Sequence, residues 1–390
     1  MRVLLCNKFY YRRGGDCVYT LALESLLKAN GHQVAVFAME HPETLDSPWR
    51  GYFPSEVNLG SLSSKFRFLA RSLGYGETAA RFRALLDEFK PDVVHLGNIH
   101  SQLSPVIAEI AHKRSIKVVW TLHDYKLACP RYDCLLKGEK PCELCFRDKT
   151  YVLKNKCMKN SLAGSLMAYL EAVKWSRDRL VANTDVFICP SSFMKQKMEQ
   201  AGFPPEKLVM LCNFLDVEKC RRQDYSDRDD YYCYVGRLSR EKGISTLAGV
   251  AATLPFRLLV LGDGPVRGEL PSADNIEYLG RKDWAEIKEC VGRSRFMVIP
   301  SEWYENNPLS VIEALSLGTP VLGAEIGGIP ELIEKGVTGE IFRSGDKEDL
   351  SRGIQRMFKD RFDYNGIAEK SQSRFSQESY YKQLMEIYSR

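Results

Sequence analysis

Two glutamates, Glu305 and Glu313, stand eight positions apart in the stretch Pro300-Ser-Glu-Trp-Tyr-Glu-Asn-Asn-Pro-Leu-Ser-Val-Ile-Glu-Ala-Leu. Carboxylates accept hydrogen bonds from vicinal hydroxyls, so a pair held on one rim suits a ribose or a hexose. A second segment, Gly236-Arg-Leu-Ser-Arg-Glu-Lys-Gly243, directly follows an apolar run and sets Arg237 and Lys242 between two glycines. A diphosphate needs about two positive charges and backbone close enough to donate hydrogen bonds. Taken out of context, the glutamates are two solvated charges and the basic segment is a turn capping a helix. Their flanks argue otherwise.

The apolar run Arg295-Phe-Met-Val-Ile-Pro before the glutamates predicts a buried strand. After them, Leu309, Ile312, Ala314, Leu315 and Leu317 keep mostly helical spacing, and Gly318-Thr-Pro supplies the stop. Glu305 then falls in a loop above a strand end, and Glu313 one or two turns into the next helix. The start of that helix, near Pro308-Leu309-Ser310, presents free amides to an anion. The same alternation of short apolar runs and helical stretches continues throughout. Arg2-Val-Leu-Leu-Cys, Val34-Ala-Val-Phe-Ala, Pro91-Asp-Val-Val-His-Leu, Val118-Val-Trp-Thr-Leu and Val186-Phe-Ile-Cys-Pro form one series of strands. Tyr231-Tyr-Cys-Tyr-Val-Gly, Arg257-Leu-Leu-Val-Leu-Gly, Ile276-Glu-Tyr-Leu-Gly, Phe296-Met-Val-Ile-Pro and Pro320-Val-Leu-Gly-Ala form a second. The expected fold is α/β, with two Rossmann-like doubly wound domains facing across a cleft. The expected domains are 1–212, with a cysteine-rich insert at 127–160, and 213–372. A C-terminal helix, 373–390, is expected to cross back to the first domain. The polar run Arg221-Arg-Gln-Asp-Tyr-Ser-Asp-Arg-Asp-Asp reads as a surface loop near the boundary, with Asp227 and Asp229 solvated rather than metal-binding.

At 390 residues the chain is too long for one ordinary core. No apolar run approaches the length of a membrane span, and the Met1-Arg-Val-Leu-Leu-Cys start enters a strand without a signal-peptide core. A cytoplasmic location is expected, so the 12 cysteines should be buried, metal-bound or catalytic rather than disulfide-linked. Residues 1–200 hold 29 Lys and Arg against 20 Asp and Glu, a balance of +9, while residues 201–390 hold 26 against 30, a balance of −4. The first half therefore faces something anionic: a nucleic acid, a membrane surface or a phosphate-bearing lipid.

Five segments in this order resemble the large family 4 of retaining glycosyltransferases, with the GT-B fold. They are Gly236-Arg-Leu-Ser-Arg-Glu-Lys-Gly, Gly262-Asp-Gly-Pro, the stretch from Glu305 to Glu313, Ala314-Leu-Ser-Leu-Gly-Thr-Pro-Val, and Gly327-Gly-Ile-Pro-Glu. The resemblance spans essentially the whole chain and implies roles residue by residue. Arg237 and Lys242 neutralise the donor pyrophosphate, in place of the divalent metal other glycosyltransferases use. Glu305 contacts the transferred sugar and Glu313 holds the ribose hydroxyls. Gly262, Asp263, Asn307, Leu309 and Ser310 join the donor site, and Leu279-Gly-Arg-Lys lies near the base. Gly14 and Gly15 match the family's glycine-rich loop, where a missing Cβ lets backbone approach the donor phosphates and the acceptor. His123, ending the run Val118–Leu122, lies beside the sugar and the scissile bond. His95, Asn98 and His100 end another strand and are acceptor-side candidates. Transfer proceeds on one face of the sugar, the leaving phosphate taking the acceptor proton, so no strong base and no catalytic cofactor is expected.

Cys129, Cys134, Cys142, Cys145 and Cys157 crowd one segment, including the Cys142-Glu-Leu-Cys145 knuckle. A structural Zn²⁺ on four thiolates would order such a loop; a redox pair, unrelated buried thiols or an iron–sulfur cluster are the alternatives. A subset of the family is similar here, and implies Cys129, Cys142, Cys145 and Cys157 as the ligands, with Cys134 spare. Lys65, Arg67, Arg71, Arg81 and Arg83 interleave with Phe66, Phe68, Leu69, Leu73 and Phe82, and Lys149, Lys154, Lys156 and Lys159 form a second basic run. Each reads either as an amphipathic helix covering the sheet or as one laid on anionic lipid. The expected function is transfer of a sugar from a nucleotide-diphosphate sugar to a lipid-linked saccharide in cell-surface polysaccharide synthesis, at the inner face of the cytoplasmic membrane and without nucleic acid. A sugar phosphorylase or sugar-nucleotide hydrolase of the same fold is the alternative. A zinc-bearing nucleic-acid-binding protein would explain the basic half but not the Arg237, Lys242, Glu305 and Glu313 set. A nicotinamide dehydrogenase is disfavoured, because no Gly-x-Gly-x-x-Gly follows the first strand.

Overall fold

The computed structural model describes residues 1–57, 60–221 and 224–390. The chain divides into two units, one of Met1–Lys137, Cys142–Leu211 and Tyr381–Arg390, the other of Gly138–Pro141 and Cys212–Tyr380.

The first unit holds strands β1 (Arg2–Cys6), β2 (Gln33–Phe37), β3 (Val93–Leu96), β4 (Lys117–Thr121), β5 (Val186–Cys189) and β6 (Leu208–Met210). They form one six-stranded sheet in the order β2-β1-β3-β4-β5-β6, and every pairing is parallel. Its helices are α1 (Gly15–Ala29), α2 (Leu62–Ser72), α3 (Glu77–Phe89), α4 (Val106–Lys113), α5 (Tyr151–Lys154), α6 (Leu162–Lys174), α7 (Arg177–Ala182) and α8 (Ser192–Gln200). The central strands are apolar on both sides and almost wholly buried, as a parallel sheet covered on two faces requires.

The second unit repeats the plan with β7 (Tyr231–Val235), β8 (Arg257–Leu261), β9 (Ile276–Gly280), β10 (Met297–Ile299), β11 (Val321–Ala324) and β12 (Gly339–Phe342), in the order β9-β8-β7-β10-β11-β12. Again every pairing is parallel. Its helices are α9 (Ile244–Ala251), α10 (Trp284–Arg293), α11 (Leu309–Ser316), α12 (Lys347–Lys359) and α13 (Tyr364–Arg374); α14 (Gln377–Ser389) follows. The strand order reverses at β1 in one sheet and at β7 in the other. At such a reversal the loops leaving the strand ends diverge and open a place for a ligand.

Two expectations change. The basic stretch 65–83 is two helices, broken by Gly74 and Gly76 with φ of 89° and 101°. Arg71 and Arg81 both spend their charge on Glu77, at 2.7 and 2.9 Å. In the polar run 221–230, Arg222 and Gln223 lie outside the described residues; Arg221, Asp224, Ser226, Asp227 and Asp230 are exposed, as a surface loop requires, but the run is tied down by ion pairs and hydrogen bonds rather than loose. Asp227 and Asp229 pair with Arg293 at 3.0 and 2.8 Å. Arg228 donates to the carbonyls of Gly292 and Ser294 at the end of α10 and of Leu317 and Gly318 after α11, satisfying helix ends that have no partner of their own.

Candidate functional site

In the second unit the loops after β7 and β10 meet on an ion pair. The turn Arg240–Lys242 ends at Gly243, whose φ is 69° and whose added Cβ would lie 1.8 Å from the Pro300 carbonyl oxygen. Only glycine fits there, and the turn is thereby pressed against the strand end that launches the glutamate loop. Lys242 Nζ donates to Glu305 Oε1 at 2.7 Å and lies 5.0 Å from the Trp303 ring centre. The Ser301 hydroxyl donates to the same oxygen at 2.8 Å. Gly327, at φ 61°, fits against the Glu305 backbone where a Cβ would lie 2.2 Å from its carbonyl oxygen, and the Gly328 N–H bonds that oxygen at 2.7 Å. Burial pushes the Glu305 carboxyl up, but the Lys242 ammonium and the Ser301 hydroxyl outweigh it and hold it below the ordinary carboxylate range. Glu305 is thus a charged carboxylate with only 6% of its surface exposed. Arg237 is exposed at the end of β7.

Glu313 lies past the first turn of α11 and is the opposite case. Its side chain makes no hydrogen bond or ion pair among the described residues, and burial alone raises its carboxyl to about 7. Leu309 and Ser310 open α11 behind Pro308, with no side chain capping the helix, so their amides are free in the usual way of a first turn. The Asn307 side chain is committed: its oxygen accepts from the Asn213 N–H at 3.0 Å, and the Asn213 amide donates to the Asn307 carbonyl at 3.0 Å. Asp263 turns back on its own loop, accepting from the Gly264 N–H at 2.7 Å. In Leu279-Gly-Arg-Lys, the Gly280 carbonyl accepts from the Gly262 N–H at 2.8 Å, while Lys282 pairs with Glu286 at 2.7 Å.

In the first unit, Gly14 precedes α1 and Gly15 opens it; a Cβ on Gly15 would meet nothing within 4 Å. The neighbouring loops are tied together. Asn7 accepts from the Asn98 N–H at 2.9 Å, and the Asn98 amide donates to Asp16 at 3.2 Å. His123 sits edge-on to Tyr19, with 4.7 Å between ring centres. Its Nε2 is buried without a hydrogen-bond partner among the described residues. Burial pushes its imidazole down to about 4, against the pull of Asp16, so it is neutral at neutral pH.

His95 is a core residue. Its Nδ1 meets the Tyr388 hydroxyl at 2.6 Å and its Nε2 the Thr121 hydroxyl at 2.7 Å, leaving neither nitrogen for a ligand. The Thr121 hydroxyl is in turn 3.3 Å from that of Tyr19. His100 stacks on Trp120, and its Nε2 lies 3.7 Å from Asp124. Sequence reasoning placed Asp124 with His123 at a strand end but gave it no role; burial raises it to about 6 against the charges of Lys126 and Lys8. It passed over Lys8, whose ammonium burial lowers while Asp16 and Asp124 support it. Both lie in the short loop just past a strand, Lys8 after β1 and Asp124 after β4, the one signal that points to them.

The five cysteines of the insert share one neighbourhood. Cys145 and Cys157 line a small core with Val152 and Ala168. Cys145 lies within electrostatic reach of Cys129, Cys157 and Cys142. The Cys134 thiol hydrogen-bonds the Cys129 sulfur and pulls Cys129 down to about 7. No group of three or more His, Cys, Asp or Glu among the described residues is arranged to hold a metal ion. No helix among them is long and apolar enough to cross a membrane.

Two doubly wound parallel sheets, with glycine turns and charged side chains at their strand ends, are the architecture of GT-B glycosyltransferases. Residues 13–219 match the model of Glycosyltransferase Family 4 and residues 217–381 that of glycosyl transferases group 1, so the chain belongs to family 4 and is a glycosyltransferase. It is 27% identical over 354 residues to an uncharacterized 42.6 kDa protein in the cps region of Klebsiella pneumoniae, covering 85% of this chain and 87% of that protein. It is 27% identical over 244 residues to the amylovoran biosynthesis glycosyltransferase AmsK of Erwinia amylovora, covering 57% of this chain and 60% of that one. Among solved structures, the Anabaena HepE protein in complex with UDP superposes with a TM-score of 0.68 at 17% identity, over 100% of both chains. That likeness shows the fold.

Proposed function

We propose that this glycosyltransferase moves a sugar from a nucleotide-diphosphate sugar, with retention of configuration and without a catalytic metal, to a lipid-linked saccharide acceptor in cell-surface polysaccharide synthesis. The observation that carries the proposal is the Lys242–Glu305 pair standing in the same segment as the unpartnered Glu313. Lys242 has protons to spare beyond the one given to Glu305, and these with Arg237 suit the charge that grows on a departing pyrophosphate. The free amides of Leu309 and Ser310 add donors for the same anion. Glu305, kept ionised, is ready to accept from a sugar hydroxyl. Glu313, with no donor among the described residues, is ready for those of a ribose. From the first unit, neutral His123 contributes a hydrogen bond to the sugar, and Gly14 and Gly15 leave room for ligand against the backbone. Asn307 acts by fixing the turn before α11. The leaving phosphate oxygen takes the acceptor proton, so the protein supplies position and charge rather than a strong base. The cps-region and amylovoran relatives support the polysaccharide setting, and the UDP complex of the HepE protein supports a nucleotide-sugar donor.

The proposal includes a structural Zn²⁺ and, with it, a place among the cysteine-insert members of the family. Thiolates are the donor chemistry zinc prefers. That Cys145 and Cys157 each lie within electrostatic reach of Cys129 and Cys142 supports it. Cys129, Cys142, Cys145 and Cys157 are the proposed ligands. Zinc content of the purified protein, before and after chelation, tests this: one equivalent whose removal lowers the melting temperature is expected, and zinc-free protein of unchanged stability would overturn it.

Calorimetric titration with UDP, GDP, ADP and CMP, each with and without EDTA, tests the donor site. Tight binding of one nucleoside diphosphate that EDTA leaves unchanged is expected. Binding by none of them would overturn the proposal. Steady turnover of the sugar nucleotide with water or phosphate alone would instead make the protein a hydrolase or phosphorylase.

A further inference from the structure

Helix α6 is inside out. Its inward side carries Ser165, Ala168 and Glu171, all buried, with Glu171 paired to Lys126 at 2.8 Å. Its outward side carries Leu162, Leu166, Leu170 and Val173, spaced four, four and three apart, with Leu162 58% and Val173 52% exposed. A helix solvated on that side would carry polar residues there. Nearby, α2 presents Phe66, 72% exposed, and the Ser72 carbonyl after it accepts from the Trp175 indole at 2.6 Å, tying the two helices together. Exposed Tyr75 carries the Lys174 ammonium 5.4 Å from its ring centre. Isolated exposed apolar residues need no explanation, but a whole helix face of them marks an interaction surface.

Charge identifies the occupant. Residues 60–76 and 149–176 together contain eight Lys or Arg and a single Asp or Glu. That one acid is Glu171, which is buried and paired; at the borders Asp148 pairs with Lys154 at 3.4 Å and Asp178 with Arg177 at 3.0 Å, so the balance of this surface stays positive. Lys65, Arg67, Lys154, Lys156 and Lys159 are all exposed. A second copy of the chain would bring like charges together, which opposes self-association. A leaflet of anionic lipid satisfies both features, with acyl chains for the leucines and headgroups for the lysines.

We propose that the outward face of α6 inserts into an anionic bilayer surface, with the cations of α2 and of the segment before α6 holding the headgroups. This extends the lipid-linked acceptor reading by naming the face that meets the lipid, and its argument is independent of the donor chemistry.

Co-sedimentation with phosphatidylcholine vesicles, with and without phosphatidylglycerol, is the test. The wild-type chain is expected to pellet with the anionic vesicles and to stay free with the neutral ones. Failure to pellet with either overturns the proposal. The L166E/L170E variant should bind anionic vesicles about tenfold more weakly or less, with an unchanged melting temperature. If that variant does not fold, L166S/V173S serves in its place. Wild-type vesicle binding in a folded variant overturns the assignment of this face. A Leu166→Trp variant should show a blue-shifted emission on anionic vesicles; a bound protein with unshifted emission also overturns it. So does a wild-type dimer that L166E/L170E dissolves, when no vesicle binding accompanies it. Nucleoside-diphosphate binding should be the same in every variant. Its absence from all of them, with vesicle binding intact, would remove the transferase mechanism and leave this proposal standing.

Discussion

At the strand ends of the second unit an ion pair is already made, whereas at those of the first unit the best-placed side chain is an unpartnered, neutral histidine. Lys242 and Glu305 are held by two glycines that accept no side chain, Gly243 against Pro300 and Gly327 against Glu305. Gly15 has open space where a Cβ would be, and the Nε2 of His123 is buried without a hydrogen-bond partner among the described residues. The same sheet plan thus carries two kinds of edge. One is tightly built and charged, which suits fixed stabilisation of a charged leaving group. The other leaves open space at Gly15 and sets a neutral His123 among the charges of Lys8, Asp16 and Asp124, which suits hydroxyl-bearing groups that enter and leave.

Substitution at Lys242 bears hardest on this contrast. Lys242→Ala should lower turnover by about a hundredfold to a thousandfold. Read from sequence, a cleft lysine would contribute little to folding; here its loss strands a buried carboxylate, so the melting temperature should fall as well. K242A/E305Q should recover the stability and none of the turnover, and recovery of both would break the contrast.

The histidines come next. His123→Asn should reduce turnover about tenfold to a hundredfold, with little change in melting, since one ligand-side hydrogen bond is at stake. His95→Phe should do the reverse, costing about 1–3 kcal/mol in denaturant titration while donor affinity holds. The glycines separate the edges in the same manner. Gly243→Ala should destabilise by about 2 kcal/mol or more. Gly15→Ala should leave stability within about 0.5 kcal/mol and slow turnover.

The smallest effect is the pH dependence of Glu313. Its folded-state pKa is raised to about 7, above the ordinary carboxylate value, so its protonated form favours the folded chain at low pH. That contribution is lost as pH rises through about 7. Donor affinity should climb over the same window, as the carboxylate ionises and accepts ribose hydroxyls. Glu313→Gln should flatten both curves in calorimetry and melting from about pH 5 to about pH 8.

The central strands were legible because parallel strands buried on both faces are short runs of apolar, β-branched and aromatic residues, as in Val118-Val-Trp-Thr and Tyr231-Tyr-Cys-Tyr-Val, and few other elements produce such short runs. The edge strands Leu208–Met210 and Gly339–Phe342 were not. They are short, one follows Pro204-Pro-Glu-Lys and the other begins at glycine, so neither breaks out of its loop. The motif residues were legible as positions at strand ends, but their commitments were not. Nothing in the sequence shows that the Asn307 side chain is spent on Asn213, or that both nitrogens of His95 are spent in the core. The outward face of α6 was not legible either: an apolar helix face in sequence is the same whether it packs on the core or turns away from it, and only the fold shows which.

The Tyr388–His95 hydrogen bond joins residues 293 positions apart. A ribosome adds about 5–20 residues each second, so β3 waits on the order of 15–60 s for the hydroxyl that completes its surroundings. During that interval the entire second unit is being synthesised. The first sheet, whose strands are nearly all made early, therefore cannot mature on its own translational schedule, and a nascent chain carries an unfinished core past its own second domain.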